Sequence, residues 1–159
     1  NLTTNSIFKN GGTLDKFIGD ATMAVFNAPF DLDDYELRAL RTAKDIVAGA
    51  AALEKSCMER FGRKVTFGVG VNCGEAVVGN IGCDFRMDYT AIGDTVNTAA
   101  RLESNAKPGQ VLISETIYER VKDKGVKVEP IGEIPLKGKS KGVFVYQLTE
   151  IEGVKVGEE

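Results

Sequence analysis

The stretch KVTFGVGVN, residues 64–72, alternates strictly: Val65, Phe67, Val69 and Val71 fall on one side of an extended chain, Gly68 and Gly70 on the other. A strand with one apolar face and one bare face has few uses. Its apolar side predicts burial. Its glycines predict that another backbone, or a helix, comes to lie directly against it.

The other segments supply candidates for that neighbour. Between Asp33 and Phe61, apolar Leu37, Leu40, Ala43, Val47, Ala50, Leu53, Cys57 and Phe61 recur at steps of three and four. This spacing predicts one long amphipathic helix with acids in its first turn and Gly62 as its stop. The opening NLTTNSIFKNGG reads as a chain entered partway along a helix, truncated at its N-terminus, with Ile7 and Phe8 its last apolar residues and Gly11-Gly12 its stop. Residues 13–26 read as a hairpin with Gly19-Asp20 at its tip. EAVVGNIG, residues 75–82, reads as the partner of the glycine-bearing strand, and Met87 to Ile92 as a further strand. Asp94 or Thr95 is expected to cap a helix running to about Asn105. Beyond the Pro108-Gly109 turn come a short strand VLIS, a helix opened by Ser114, and strands in VKVEPI and VFVYQL. Strands and helices are interleaved, which predicts an α/β sandwich with a mixed or antiparallel sheet. We expect one domain over residues 1–150, with 151–159 a fraying tail.

Composition narrows the chemistry. The chain of 159 residues is 43% hydrophobic and 27% charged, an ordinary globular balance, and its net charge of −3 gives no sign of non-specific binding to nucleic acid or anionic lipid. Histidine is absent, which removes Ser-His-Asp and Cys-His mechanisms and any His-ligated metal. A metal here would be a hard cation on carboxylate oxygen, Mg²⁺ or Mn²⁺. Cys57, Cys73 and Cys83 are odd in number and fit no CxxC spacing, as expected of buried or idle thiols in a reducing compartment rather than a disulfide framework or a zinc site. No apolar run reaches the length of a membrane span.

Asn97 and Arg101, in TVNTAARLE, stand four apart and so share one helical face, while Val96, Ala99, Ala100 and Leu102 supply the buried side. An amide beside a guanidinium suits a sugar oxygen next to a phosphate. A carboxylate at Asp20, on a hairpin tip, can project toward a cation. Lys16 lies four residues earlier. LKGKSKG places Lys137, Lys139 and Lys141 in a basic, glycine-bearing turn that could reach a terminal phosphate. Singly, each of these is also what an ordinary protein surface carries. The glycines of GVGVNCGEAVVGNIG match neither a P-loop nor a dinucleotide-binding fingerprint.

In order, however, GGTLDKFIGDATMAVFNAP, FGVGVNCGEAVVGNIG, RMDYTAIGDTVNTAARLES and PLKGKSKGVFVYQL resemble successive blocks of the class III nucleotidyl cyclase catalytic domain, from about Phe8 to Leu148. The resemblance implies a ferredoxin-like α/β (α+β) core with flanking helices, working as a head-to-tail homodimer with its active sites at the subunit interface. The reaction implied is conversion of a nucleoside triphosphate to the 3′,5′-cyclic monophosphate and pyrophosphate with two divalent metals. Asp20 resembles the second metal-binding aspartate; the first belongs to an opening strand upstream of this sequence, so the chain alone is expected to be inactive. Asn97 resembles the residue that orients the ribose, Arg101 the one that stabilises charge on the α-phosphate, and Lys137, with Lys139 beside it, the contact to the terminal phosphates.

Lys16 and Thr90 resemble the base-reading pair. Lysine only donates, which suits adenine N1, and threonine can accept from the exocyclic amine. ATP is therefore the expected substrate, with guanylate cyclase as the alternative. Thr90 resembles a threonine-bearing subclass in which bicarbonate stimulation occurs. The expected location is cytoplasmic, with any membrane anchor elsewhere in the parent protein. A non-catalytic regulatory or dimerisation domain is the rival reading. It accounts poorly for retention of Lys16, Asp20, Thr90, Asn97, Arg101 and Lys137 together. A diguanylate cyclase is disfavoured because Thr13-Leu14 follow the paired glycines where acids are needed, and no aromatic RNA-binding run is present.

Overall fold

The computed structural model describes residues 2–18, 21–28, 31–61, 68–83, 86–136 and 142–156; for residues 16–18, 53–61, 77–83 and 86–92 it describes the backbone only. The elements are α1 (Leu2–Lys9), β1 (Thr13–Ile18), β2 (Ala21–Val25), α2 (Tyr35–Phe61), β3 (Val69–Val71), β4 (Val77–Cys83), β5 (Arg86–Ile92), α3 (Asp94–Asn105), β6 (Val111–Ser114), α4 (Glu115–Val121), β7 (Val126–Ile134), β8 (Val143–Ile151) and β9 (Val154–Lys155).

The main sheet runs β3-β6-β8-β7, with β9 on β8; β3 and β6 are parallel and the other pairs antiparallel. Both its faces are covered. Leu37, Leu40, Ala43 and Val47 of α2 and Ile117 and Val121 of α4 pack on one side, against Val111 and Ile113 of β6 and Leu148 and Ile151 of β8. Leu102 of α3 packs on the other, against Leu112, Ile134 and Val145. Alternation along β6 sends Val111 and Ile113 one way and Leu112 the other, and all three are buried. This is a mixed α/β sandwich, the class the interleaved pattern predicts.

The glycine-bearing strand meets the neighbour it requires. A methyl group at Gly70 would sit 2.7 Å from the Ala99 carbonyl oxygen and 2.8 Å from Leu102 Cβ, and would run into the backbone nitrogen of Glu103. One at Gly68 would sit 2.8 Å from the Ala106 carbonyl oxygen. The backbone of α3 thus lies directly on β3.

Three expectations need correction. β4 does not pair with the glycine-bearing strand: it pairs antiparallel with β5, from Val77↔Ile92 to Cys83↔Arg86, and β3 takes β6 instead. Neither Asp94 nor Thr95 caps α3. Gly93 is the N-cap, at φ 129°, without a side-chain cap bond, and the Thr95 hydroxyl donates instead to the Glu75 carbonyl at 2.6 Å. Residues past 150 do not simply fray, since Val154 pairs with Ile151 and Lys155 with Glu150. The hairpin of β1 and β2 is as read, with a bulge between Leu14 and Lys16; Gly19 and Asp20 lie outside the described residues. Ser114 caps α4 as read, its hydroxyl accepting from the Ile117 amide at 3.4 Å.

A polar cluster fastens α2 to α4. Nη1 of Arg120 donates to Glu36 Oε1 at 3.1 Å and to the Tyr35 hydroxyl at 2.9 Å. Burial pushes the Glu36 carboxyl up, but its own backbone hydrogen bond, Arg120 and Tyr35 together outweigh burial and hold it below the ordinary carboxylate range. A depressed carboxyl contributes stability that is present above its unfolded-state pKa and lost as pH falls through the folded value. We expect the urea midpoint to fall on acidification below about pH 4.3, and Glu36→Gln to flatten that part of the profile. An identical profile in the two proteins would contradict the assignment.

Candidate active site

α3 is where the site is built. β5 delivers the chain to Gly93, whose positive φ turns it sharply into the helix, and the amides of Val96 and Asn97 both donate to the Gly93 carbonyl, at 3.1 and 3.0 Å. Leu102 is fully buried and Val96 and Ala99 partly so, which fixes the rotation of the helix. Asn97 and Arg101 are left together on the exposed face.

Arg101 is not a loose surface arginine. Its Nε donates to the Pro135 carbonyl at 3.1 Å, tying the guanidinium to the end of β7. That carbonyl occupies one edge of the fork, and no carboxylate pairs with Arg101 among the described residues. The two terminal nitrogens are thus placed to receive an anion. Pro135 stands just before the basic turn in sequence, but Lys137 and Lys139 lie outside the described residues, as does Asp20.

Lys16 and Thr90 can be followed through their backbones. Lys16 is paired with Met23 across the hairpin, just after the bulge, and Thr90 with Gly79. Their strands, β1 and β5, lie against each other, and β5 leads directly into α3. Thr90, Asn97 and Arg101 thus follow one another along β5 and α3, and Lys16 lies on β1, a strand adjacent to β5.

Two groups escaped the sequence reading. The Pro135 carbonyl carries no side-chain signal. Asn72 does carry one, as an amide at the end of the glycine-bearing strand. Its Nδ2 donates to the Thr95 carbonyl at 3.1 Å, and its Oδ1 accepts from the Ser114 hydroxyl at 2.6 Å.

A cleft of about 380 Å³ beside α3 is lined by Asn72, Cys73, Thr98, Thr116, Val143 and Phe144 among others, and neither Asn97 nor Arg101 lines it. Burial pushes the Cys73 thiol up, away from the thiolate a nucleophile needs. Among the described residues no group of three or more Cys, Asp or Glu side chains is arranged to hold a metal, and no helix is long and apolar enough to cross a membrane.

Comparison with known proteins supplies the family. Residues 10–150 match the model of the adenylate and guanylate cyclase catalytic domain. The terminal-differentiation-specific adenylate cyclase of Dictyostelium discoideum is 34% identical over 155 residues, 92% of this chain and 7% of that protein, so the chain spans a small part of its relative. Among solved structures, the guanylyl cyclase Cya2 superposes with a TM-score of 0.87 at 30% identity, covering 97% of this chain and 79% of that one. The guanylate cyclase domain of RhGC from Catenaria anguillulae, solved in complex with GTP, gives a TM-score of 0.77 at 28% identity over 94% and 79% of the two chains.

Proposed function

Because this chain belongs to the adenylate and guanylate cyclase catalytic domain family, we propose that it cyclises ATP to 3′,5′-cyclic AMP and pyrophosphate in a cleft shared by two copies of itself. The observation that carries the reading is the exposed pair on α3, with Arg101 held at Nε by the Pro135 carbonyl.

In the reaction the ribose 3′-oxygen attacks the α-phosphorus, its proton leaves, and the bond to the bridging oxygen of the pyrophosphate breaks. Asn97 orients the ribose. Arg101 meets the charge that grows on the α-phosphate, and because it is positioned beforehand it costs no reorganisation as the reaction proceeds. Lys137, with Lys139 near it, holds the terminal phosphates. The family generally uses divalent metal, and a donor set of carboxylate oxygen in a chain without histidine fits Mg²⁺ or Mn²⁺. Asp20 would help hold it, with a second acid beside it; such an ion would supply activation of the 3′-hydroxyl and charge balance on the leaving group.

Base choice falls to Lys16 and Thr90, for the donor and acceptor reasons given above. The adenylate cyclase relative supports ATP, while the guanylyl cyclase structural matches support GTP as the second reading. Lys16→Glu in the full-length protein is expected to lower kcat/KM for ATP relative to GTP by about tenfold or more. An unchanged ratio would remove Lys16 as the base reader. The direct test of the activity supplies the full-length protein with ATP or GTP and Mn²⁺ and measures cyclic nucleotide and pyrophosphate. Equimolar release of both is expected, and release of neither would overturn the proposal.

A further inference from the structure

We infer that Asn72 is a positioning residue for the exposed face of α3, holding Asn97 and Arg101 in register with the sheet; the functional part of this inference rests on the cyclase reading. α3 begins at a glycine that offers no side chain to its first turn. Besides the backbone bonds to the Gly93 carbonyl, two side-chain bonds tie that turn to groups outside the helix. The Asn72 amide donates to the Thr95 carbonyl at 3.1 Å, and the Thr95 hydroxyl donates to the Glu75 carbonyl at 2.6 Å. Thr95 is two residues before Asn97, within the same turn.

The other end of Asn72 is equally fixed. Its Oδ1 accepts from Ser114 Oγ at 2.6 Å, and Ser114 is a fully buried residue at the end of the central strand β6. Ser114 also receives the Ile117 amide on a lone pair while its single proton goes to Asn72. The orientation of the Asn72 amide is set by the Thr95 carbonyl, which can only accept and so demands the NH₂, leaving Oδ1 toward the Ser114 hydroxyl. One side chain thereby joins the rigid β6–α4 corner to the start of the helix carrying the proposed catalytic pair. Aspartate at this position keeps the acceptor for Ser114 but sets a second acceptor against the Thr95 carbonyl; alanine removes both bonds.

The test compares Asn72→Asp and Asn72→Ala with the parent, in the full-length protein. Amide hydrogen exchange reads the positioning by itself. In Asn72→Ala, the Val96 and Asn97 amides are expected to lose protection while β6 and β8 keep theirs; unaltered protection, or an even loss across the sheet, would overturn the inference whether or not the parent is an active cyclase. Kinetics reads the consequence. Both variants are expected to lose about ten- to a hundredfold in kcat, with KM for nucleotide changed by less than about threefold. Between about pH 8 and about pH 6 the aspartate variant should regain activity relative to the parent, as a protonated acid again donates to Thr95, and the alanine variant should not. Parental kcat in both variants, or equal losses without that pH-dependent recovery, would overturn it. A parent that makes no cyclic nucleotide would sink the cyclase reading alone, and the exchange result would still decide the role of Asn72.

Discussion

Arg101→Ala in the full-length protein is expected to lower turnover by about a hundredfold or more while leaving the fold intact. The two halves of that expectation have separate grounds. The guanidinium is exposed and fills no part of the core, so truncation opens no cavity. It gives up one hydrogen bond, from Nε to the Pro135 carbonyl, worth about 1 kcal/mol or less at an exposed site. The loss in rate follows from the same bond viewed from the substrate's side. In the proposed reaction, an arginine anchored at Nε has less freedom to lose on meeting the developing phosphate charge, whereas water entering the vacated space would have to be oriented during the reaction. Asn97→Ala should behave alike, with a smaller change in melting temperature still. Steady-state kinetics with a thermal melt on each variant checks both halves. Parental turnover in both would remove α3 from the chemistry, and a matching collapse of the melt would reassign the loss to folding.

The second large effect is structural. Gly70→Ala is expected to cost about 3 kcal/mol, the upper end of what overpacking does. Most added methyls are absorbed by a neighbour's side chain swinging away. Here the atoms in the way are the Ala99 carbonyl oxygen at 2.7 Å and the Glu103 backbone nitrogen, and Leu102 Cβ at 2.8 Å is itself fixed to the backbone. None can rotate aside, so α3 must move off β3 as a body. Leu102 then withdraws from its contacts with Leu112, Ile134 and Val145. Because α3 also carries Asn97 and Arg101, displacement should reduce turnover even in molecules that remain folded. A fall in Tm of about 6–12 °C is the expected reading for a domain of this size. A fall under about 2 °C would mean that the contact between β3 and α3 is looser than described.

Gly70 also shows what was legible in advance. A bare face on an otherwise apolar strand allows close approach, and the helix that approaches is the one bearing the candidate site. The three- and four-residue steps from Leu37 to Ala50 likewise determined the buried side of α2, with Leu40 fully buried. Ser114 could be read as a cap from its position alone.

Pairing could not be read in the same way. Expecting β4 beside the glycine-bearing strand applies the preference of sequential strands for each other, but β4 has a sequential neighbour on its other side as well, and β5 takes it. β3 pairs in parallel with β6, from Val69↔Val111 to Val71↔Ile113, across the whole of β4, β5 and α3. Periodicity within a segment carries no information about a partner some forty residues away. The α3 cap was misread for a related reason: the chain turns into the helix at Gly93, which leaves Thr95 inside the first turn, where its hydroxyl donates to the Glu75 carbonyl brought near by tertiary folding.

The site divides along the same line. Asn97 and Arg101 were visible because helical spacing alone places them together. Lys16 and Thr90 could be joined only through the resemblance of whole blocks, since they belong to strands whose adjacency no local pattern states. Asn72 and the Pro135 carbonyl act on the proposed chemistry through other groups, and their importance exists only once three separate elements have met.

The shared cleft itself has a decisive measurement. Asp20→Asn and Arg101→Ala should each silence the full-length protein when made alone. If two copies complete each other's sites, mixing the purified variants and allowing subunits to exchange regenerates pairs in which one site has both Asp20 and Arg101, and cyclic nucleotide formation returns. A mixture as inert as either variant by itself, under conditions where exchange is demonstrated, would contradict the account.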